Sequence, residues 1–99
     1  MVEVRLRPSA QRDFVYIGDQ TRDRWSEAQA ERYLKQILEM IAEIGRHPLA
    51  GMEVGSIRSD YRRRRAGSHL IFYAILEDGA VEVVRILHER ADVPRHLDE

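Results

Sequence analysis

Two short turns constrain this chain more than anything else in it. Gly67-Ser68 and Asp78-Gly79 separate three apolar, strand-like runs: Tyr61–Ala66, His69–Leu76 and Ala80–Leu87. Loops this short permit only antiparallel neighbours, because a parallel return needs a long crossover. Asp-Gly is among the strongest hairpin signals, since both central positions of the favoured turn need positive φ. The last third of the chain is therefore expected to be a three-stranded antiparallel meander.

The first half has a different period. Val2, Val4 and Leu6 alternate with Glu3, Arg5 and Arg7, which predicts a strand over Val2–Leu6 that Pro8 ends. Pro8 and Ser9 then open a helix, and Ala10, Phe14, Ile17 and Thr21 fall on one face of it. A break is expected near Arg24 and Trp25. Ser26 with Gln29 reads as a capping box for a second helix. Its stripe is Ala30, Tyr33, Leu34, Ile37, Leu38, Ile41 and Ile44, with Gly45 just past its end and Pro48 preventing resumption. Helices joined this closely form an antiparallel hairpin. "HPLAGMEVGSI" is expected to be a loop. The predicted order is β-α-α-β-β-β, an α+β fold with a helical hairpin packed on one face of a mostly antiparallel sheet.

If both turns hold two residues, the register follows. Arg63, Phe72 and Arg85 lie side by side on one face, together with Arg65, Leu70 and Leu87, and with Ala74, Val81 and Val83. The other face carries Ile71, Tyr73, Ile75, Val84 and Ile86. His69 stands opposite His88. Helices cover one face. The other is expected to be an apolar strip bordered by arginines, and such a strip on a small domain marks a partner surface.

At 99 residues, a single domain over 1–99 is expected, burying roughly 60–65% of its unfolded surface. Hydrophobic residues make up 43% and charged residues 33%, the balance of a folded chain rather than a disordered one. No apolar run approaches the ~20 residues of a membrane span, and "MVEVRLRP" has no secretory h-region. Cysteine is absent, which excludes thiolate chemistry and fits a cytoplasmic setting. Sixteen basic and 17 acidic residues give a net charge of −1, without the basic excess of a non-specific nucleic-acid binder.

Several residues admit more than one reading. His88 is either an acid or base, or a strand-end histidine tied to the tail. His69 and His88 would be two metal ligands, too few for a structural zinc site, and no metal or other cofactor is expected. Arg62–Arg65 splits two per face in a strand, and reads as a phosphate stripe, a charged edge or a partner grip. Trp25 and Tyr33 are expected to pin the helical hairpin to the core.

Five segments, in this order, resemble the ParE family of the RelE/ParE superfamily: "RLRPSAQRDFVYI", "RWSEAQAERYLKQI", "HPLAG", "AGSHLIFYAI" and "VEVVRILHERADVPRHL". The resemblance covers nearly the whole chain. It implies a type II toxin, neutralised by a ParD-like antitoxin, that inhibits DNA gyrase and blocks replication without being an enzyme. The sister RelE branch cuts messenger RNA on the ribosome, using arginines on the central strands and a late Tyr or His. Here Leu70 of "HLIFY" occupies the position of such an arginine, and no Tyr follows Tyr73. A RelE-type endoribonuclease and a non-toxic partner-binding domain are the alternatives. No catalytic residue is assigned. Arg85, His88, Arg90 and Asp92 are the target-side candidates. Arg63, Arg65, Leu70, Phe72, Val83 and Leu87 are the antitoxin-side candidates.

Overall fold

The computed structural model describes residues 1–55 and 60–97. Strand β1 (Val4–Leu6) leads into helices α1 (Pro8–Arg24) and α2 (Glu27–Arg46). A 3₁₀ turn (Pro48–Ala50) and a short strand β2 (Met52–Glu53) follow. Strands β3 (Tyr61–Ala66), β4 (His69–Ile75) and β5 (Val81–His88) form the meander, and a short helix α3 (Val93–Leu97) closes the chain. The sheet order is β1-β5-β4-β3-β2, with β1 and β5 parallel and all other pairs antiparallel. The α+β architecture is as expected. β2 and α3 were not, because two and five residues are too few to show a period. Ser56 and Ile57 of the expected loop lie outside the described residues.

The helices form where their caps permit. Pro8 sits in the first turn of α1, where its missing N–H costs nothing. Ser26 caps α2 by accepting the Gln29 N–H at 3.0 Å. Gly45 does not end α2, which continues to Arg46. It is instead a point of close approach: a Cβ there would stand 2.8 Å from a Val4 methyl. The Gly45 carbonyl also accepts the Val2 N–H at 3.1 Å. The first strand can lie against the helix only because this residue has no side chain.

The hairpin covers one sheet face. Ala10, Ile17, Ile37, Ile41 and Ile44 pack on Ile71, Tyr73, Val81, Val83 and Ile86. Each such aliphatic side chain, fully buried, contributes roughly 1.5–3 kcal/mol. Leu38, expected in this stripe, is 50% exposed.

The register departs from expectation twice, and the two departures cancel. Gly67-Ser68 is a two-residue turn, with Gly67 at φ +59° and Ala66 paired to His69. The second turn holds three residues. Leu76 N–H bonds Ala80 O at 2.8 Å, Gly79 N–H bonds Leu76 O at 2.9 Å, and Gly79 takes φ +87°. Val83 therefore pairs with Tyr73 rather than with Ala74. A bulge between Phe72 and Tyr73 then absorbs Val84 and restores the expected Phe72–Arg85 pairing. As a result Val81 and Val83 lie under the helices, and Val84 lies on the opposite face.

Candidate functional site

The second sheet face is apolar but not bare. Leu70, Phe72, Ala74, Val84 and Leu87 pack there with Val54, Tyr61 and Leu97, and with Ala91 and Val93 beside them. Phe72 is only 1% exposed. The strip expected to face water is thus covered by the chain's own tail. Glu89 N–H bonds Ser68 O at 2.8 Å, and Ala91 N–H bonds His88 O at 2.9 Å, turning the chain back after β5. Val93 and Leu97, one helical turn apart, then present a single apolar edge to the face. Of the six antitoxin-side candidates, Arg63, Arg65, Leu70, Phe72 and Leu87 share this face. Val83 does not: it is fully buried beneath the helices, because the three-residue turn inverted it.

Arginines edge the face. Arg63 lies across from Phe72 and reaches the Met52 sulfur at 3.4 Å. Arg65, across from Leu70, contacts Glu89 at 3.2 Å. Arg62 and Arg64 point to the helical side. Arg62 donates to Gly51 O at 2.9 Å and Leu49 O at 3.2 Å, fixing the loop before β2. The Arg64 Nη1 is buried without a hydrogen-bond partner among the described residues.

Beyond β1, the open edge of β5 is closed by α1. Ser9 Oγ donates to Val84 O at 2.9 Å, and Asp13 accepts the Ile86 N–H at 2.9 Å. Asp13 also holds Arg85 through two bonds of 2.7 and 3.0 Å, with both side chains about one-sixth exposed. Arg85 is therefore committed to a fork-to-fork pair, the strong form of this contact. The other target-side candidates, His88, Arg90 and Asp92, are all exposed.

A second constellation sits at the tip of the helical hairpin. The rings of His69 and His88 meet edge to face at 5.3 Å, and Tyr33 stands edge to face with His69 at 5.5 Å. The Tyr33 hydroxyl accepts the Ser68 N–H at 3.0 Å and contacts His69 Nδ1 at 2.5 Å. The donor in that contact is set by the His69 tautomer, and the hydroxyl also lies 3.4 Å from Ala66 O. Burial and the nearby His88 hold the His69 pKa below the ordinary imidazole value. His88 Nδ1 accepts the Arg90 N–H at 3.1 Å, which ties the tail to the strand end.

An open cavity of about 520 Å³ lies beside this cluster, between the end of α1, the start of α2 and the β3–β4 turn. Tyr16 and Trp25 line it and are 64% and 74% exposed. Trp25 is thus not a core residue. It is the C-terminal cap of α1 in a two-residue link, and such a link at the end of a hairpin has nothing to be buried against. That position was the available signal. Tyr33 does pack partly against the core, as expected. Among the described residues, no group of three His, Asp or Glu side chains could hold a metal ion, and no helix is long and apolar enough to cross a membrane.

The family described as "ParE toxin of type II toxin-antitoxin system, parDE" matches residues 4–93. This chain belongs to the ParE toxin family. Toxin ParE1 of Mycobacterium tuberculosis is 42% identical over 92 residues, covering 93% of this chain and 94% of that protein. Toxin ParE1 of Caulobacter vibrioides is 33% identical over 97 residues, covering 98% and 99%. Two solved structures share the fold. The chromosomal ParDE system from P. aeruginosa aligns with a TM-score of 0.77 at 14% identity, over 89% of this chain and 96% of that one. The RelBE2 toxin–antitoxin complex of M. tuberculosis aligns with a TM-score of 0.68 at 21% identity, over 88% and 96%. This ParE-family toxin therefore carries a fold common to both branches of the superfamily, and fold alone does not choose a target.

Proposed function

We propose that this ParE-family toxin acts by binding rather than by cleavage, that DNA gyrase is its target, and that a ParD-like antitoxin neutralises it. The observation that carries this reading is the engagement of the residues an RNA-cleaving centre would need. Arg85 is committed to Asp13, His88 Nδ1 to the tail backbone, and the central-strand position beside them is Leu70, 5% exposed. Metal-free RNA cleavage needs a base, an acid and cations converging on one phosphate. Here the exposed charges are spread along the tail, as suits a contact surface.

The target side comprises His88, Arg90 and Asp92, with Arg85 holding the strand end in place. The antitoxin side comprises Arg63 and Arg65 at the rim and Leu70, Phe72 and Leu87 beneath α3. An acidic antitoxin segment pairs with the two arginines at once. Reaching the three apolar residues requires residues 91–97 to lift, so occupation of this face moves the same tail that carries Arg90 and Asp92. Neutralisation and target contact are then mutually exclusive without overlapping.

The test is supercoiling of relaxed plasmid by gyrase, with the purified toxin alone and with its antitoxin. Inhibition or trapped cleavage that antitoxin reverses is the expected result. Intact supercoiling together with cut transcripts in a translating extract would overturn the reading in favour of the RelE-type activity.

A further inference from the structure

We propose that the cavity at the hairpin tip docks a segment of a partner protein that presents one or two large apolar side chains flanked by carboxylates. The class of occupant, a protein segment, rests on the binding reading above. The geometry of the cavity does not.

Shape comes first. The cavity, about 520 Å³, falls within the range of built binding sites, and it is wide enough for two large side chains. Tyr16 and Trp25, both mostly in water, line it together with buried Ile17 and half-buried Tyr33. Exposed Trp and Tyr at the lip of a concavity are the usual anchors of protein interfaces.

Charge comes second. Arg24 is the one arginine or lysine lining the cavity, beside the rings of His69 and His88, and no Asp or Glu lines it among the described residues. Among the described residues, the Arg24 side chain makes no hydrogen bond or ion pair. Of the neighbouring carboxylates, Asp19 and Glu27 turn to Arg22, at 2.9 and 2.7 Å, Glu89 to Arg65 at 3.2 Å and Asp13 to Arg85 at 2.7 Å. A chain with net charge −1 thus keeps a locally basic, aromatic hollow. One permanent cation suits one or two carboxylates. It does not suit the run of phosphates that a nucleic acid brings, which needs several.

Rigidity comes third. Arg22 bridges the end of α1 to the start of α2, Ser26 caps α2, and Tyr33 holds the β3–β4 turn. The walls therefore need little ordering on binding. His88 belongs to both the cavity and the target-side set, so this surface continues from the tail around to Trp25.

Trp25 is the sole tryptophan and sits in the wall, so its emission reports occupancy directly. The experiment titrates the full-length toxin with the capped hexapeptide EELFEE, its neutral counterpart QQLFQQ, and hexauridylate. Saturable blue-shifted emission with EELFEE, at least about tenfold tighter than with QQLFQQ and weakened by salt, is expected. Arg24→Gln should erase the difference between the peptides, and Tyr16→Ala should weaken both. No saturable change, equal affinity for both peptides, or tighter binding of hexauridylate would overturn the proposal. So would an emission shift on concentrating the protein alone, which would mean a second copy fills the cavity. Gyrase inhibition without peptide binding would remove the cavity from the account and leave the target reading intact. Peptide binding without gyrase inhibition would do the reverse.

Discussion

Asp13 and Arg85 form a two-bond ion pair, 2.7 and 3.0 Å, across the one stretch of β5 that no strand covers. The same carboxylate accepts the Ile86 N–H, so a single side chain from α1 satisfies both a cation and an open sheet edge. The charge that looks most available in the sequence motif "VVRILHER" is therefore a fastening of helix to sheet. His88, three residues beyond it, is exposed, with its Nδ1 on the Arg90 N–H.

Replacing Asp13 with Ala should cost about 2–3 kcal/mol, because it strands the arginine and the Ile86 N–H together. Arg85→Met should cost less, about 1 kcal/mol, since Asp13 keeps its backbone bond. Urea denaturation of both variants checks the order. Equal losses would mean that the backbone bond contributes nothing.

Gly51 and Tyr73 form a second such pair. The Tyr73 hydroxyl donates to Pro48 O at 2.6 Å and accepts the Gly51 N–H at 3.1 Å, and a Cβ on Gly51 would overlap that hydroxyl. Gly51→Ala should lose about 2 kcal/mol by overpacking, and Tyr73→Phe about 1–2 kcal/mol by leaving both loop groups unpaired. The double variant should lose clearly less than the sum, because the phenyl ring makes room for the methyl group. A double-mutant cycle on thermal or urea melts measures the coupling. Strict additivity would contradict the contact.

Acid should weaken the hairpin tip through His69. Burial is the first cause of its lowered pKa and the neighbouring His88 the second, while Asp13 and Glu89 pull the other way. With the folded pKa below the unfolded one, the unfolded chain binds more protons in the window between them. The contribution is complete above about pH 6.5 and is lost as pH falls through the folded value. Urea midpoints should drop as pH falls below about 6.5, and His69→Gln should flatten that part of the profile. An unchanged slope in the variant would assign the drop to other groups.

The tail should act as a removable cover. Ending the chain after Arg90 removes Val93 and Leu97 from the face that carries Leu70, Phe72 and Leu87. The truncated toxin should fold, lose about 2–3 kcal/mol and bind a hydrophobic dye that the full chain excludes. By contrast, Arg90→Ala in the full chain should change stability by less than about 0.5 kcal/mol while reducing toxicity, since the residue is exposed. Undiminished toxicity with Arg90→Ala would take that residue off the target side.

Much of the fold is legible because its signals are local. Pro8, Ser26 and Gly67 act within their own turns, and the apolar periods of α2 and β4 need no knowledge of their partners. The order of the five resembling segments survived as family membership for the same reason. Trp25 was misplaced in the core because hydrophobicity alone says that a large ring should be buried, and only the hairpin tip leaves it nothing to be buried against. The cavity between Trp25, Tyr16 and His69 joins residues over 50 positions apart in sequence, and no local pattern encodes such a juxtaposition.

Local sequence, by itself, determined the long helices and strands, their N-terminal caps and the Gly67-Ser68 turn, whereas the expected pairing of Phe72 with Arg85 held only because the longer second turn and the bulge cancel. Tertiary structure alone decided which valines face the helices, where Arg85 spends its charge, and that the arginine-edged face lies under the tail. The physical reason is that strand side chains alternate with a period of two. One added loop residue and one bulged residue, invisible in composition, inverted Val81, Val83 and Val84 and left every position beyond them unchanged.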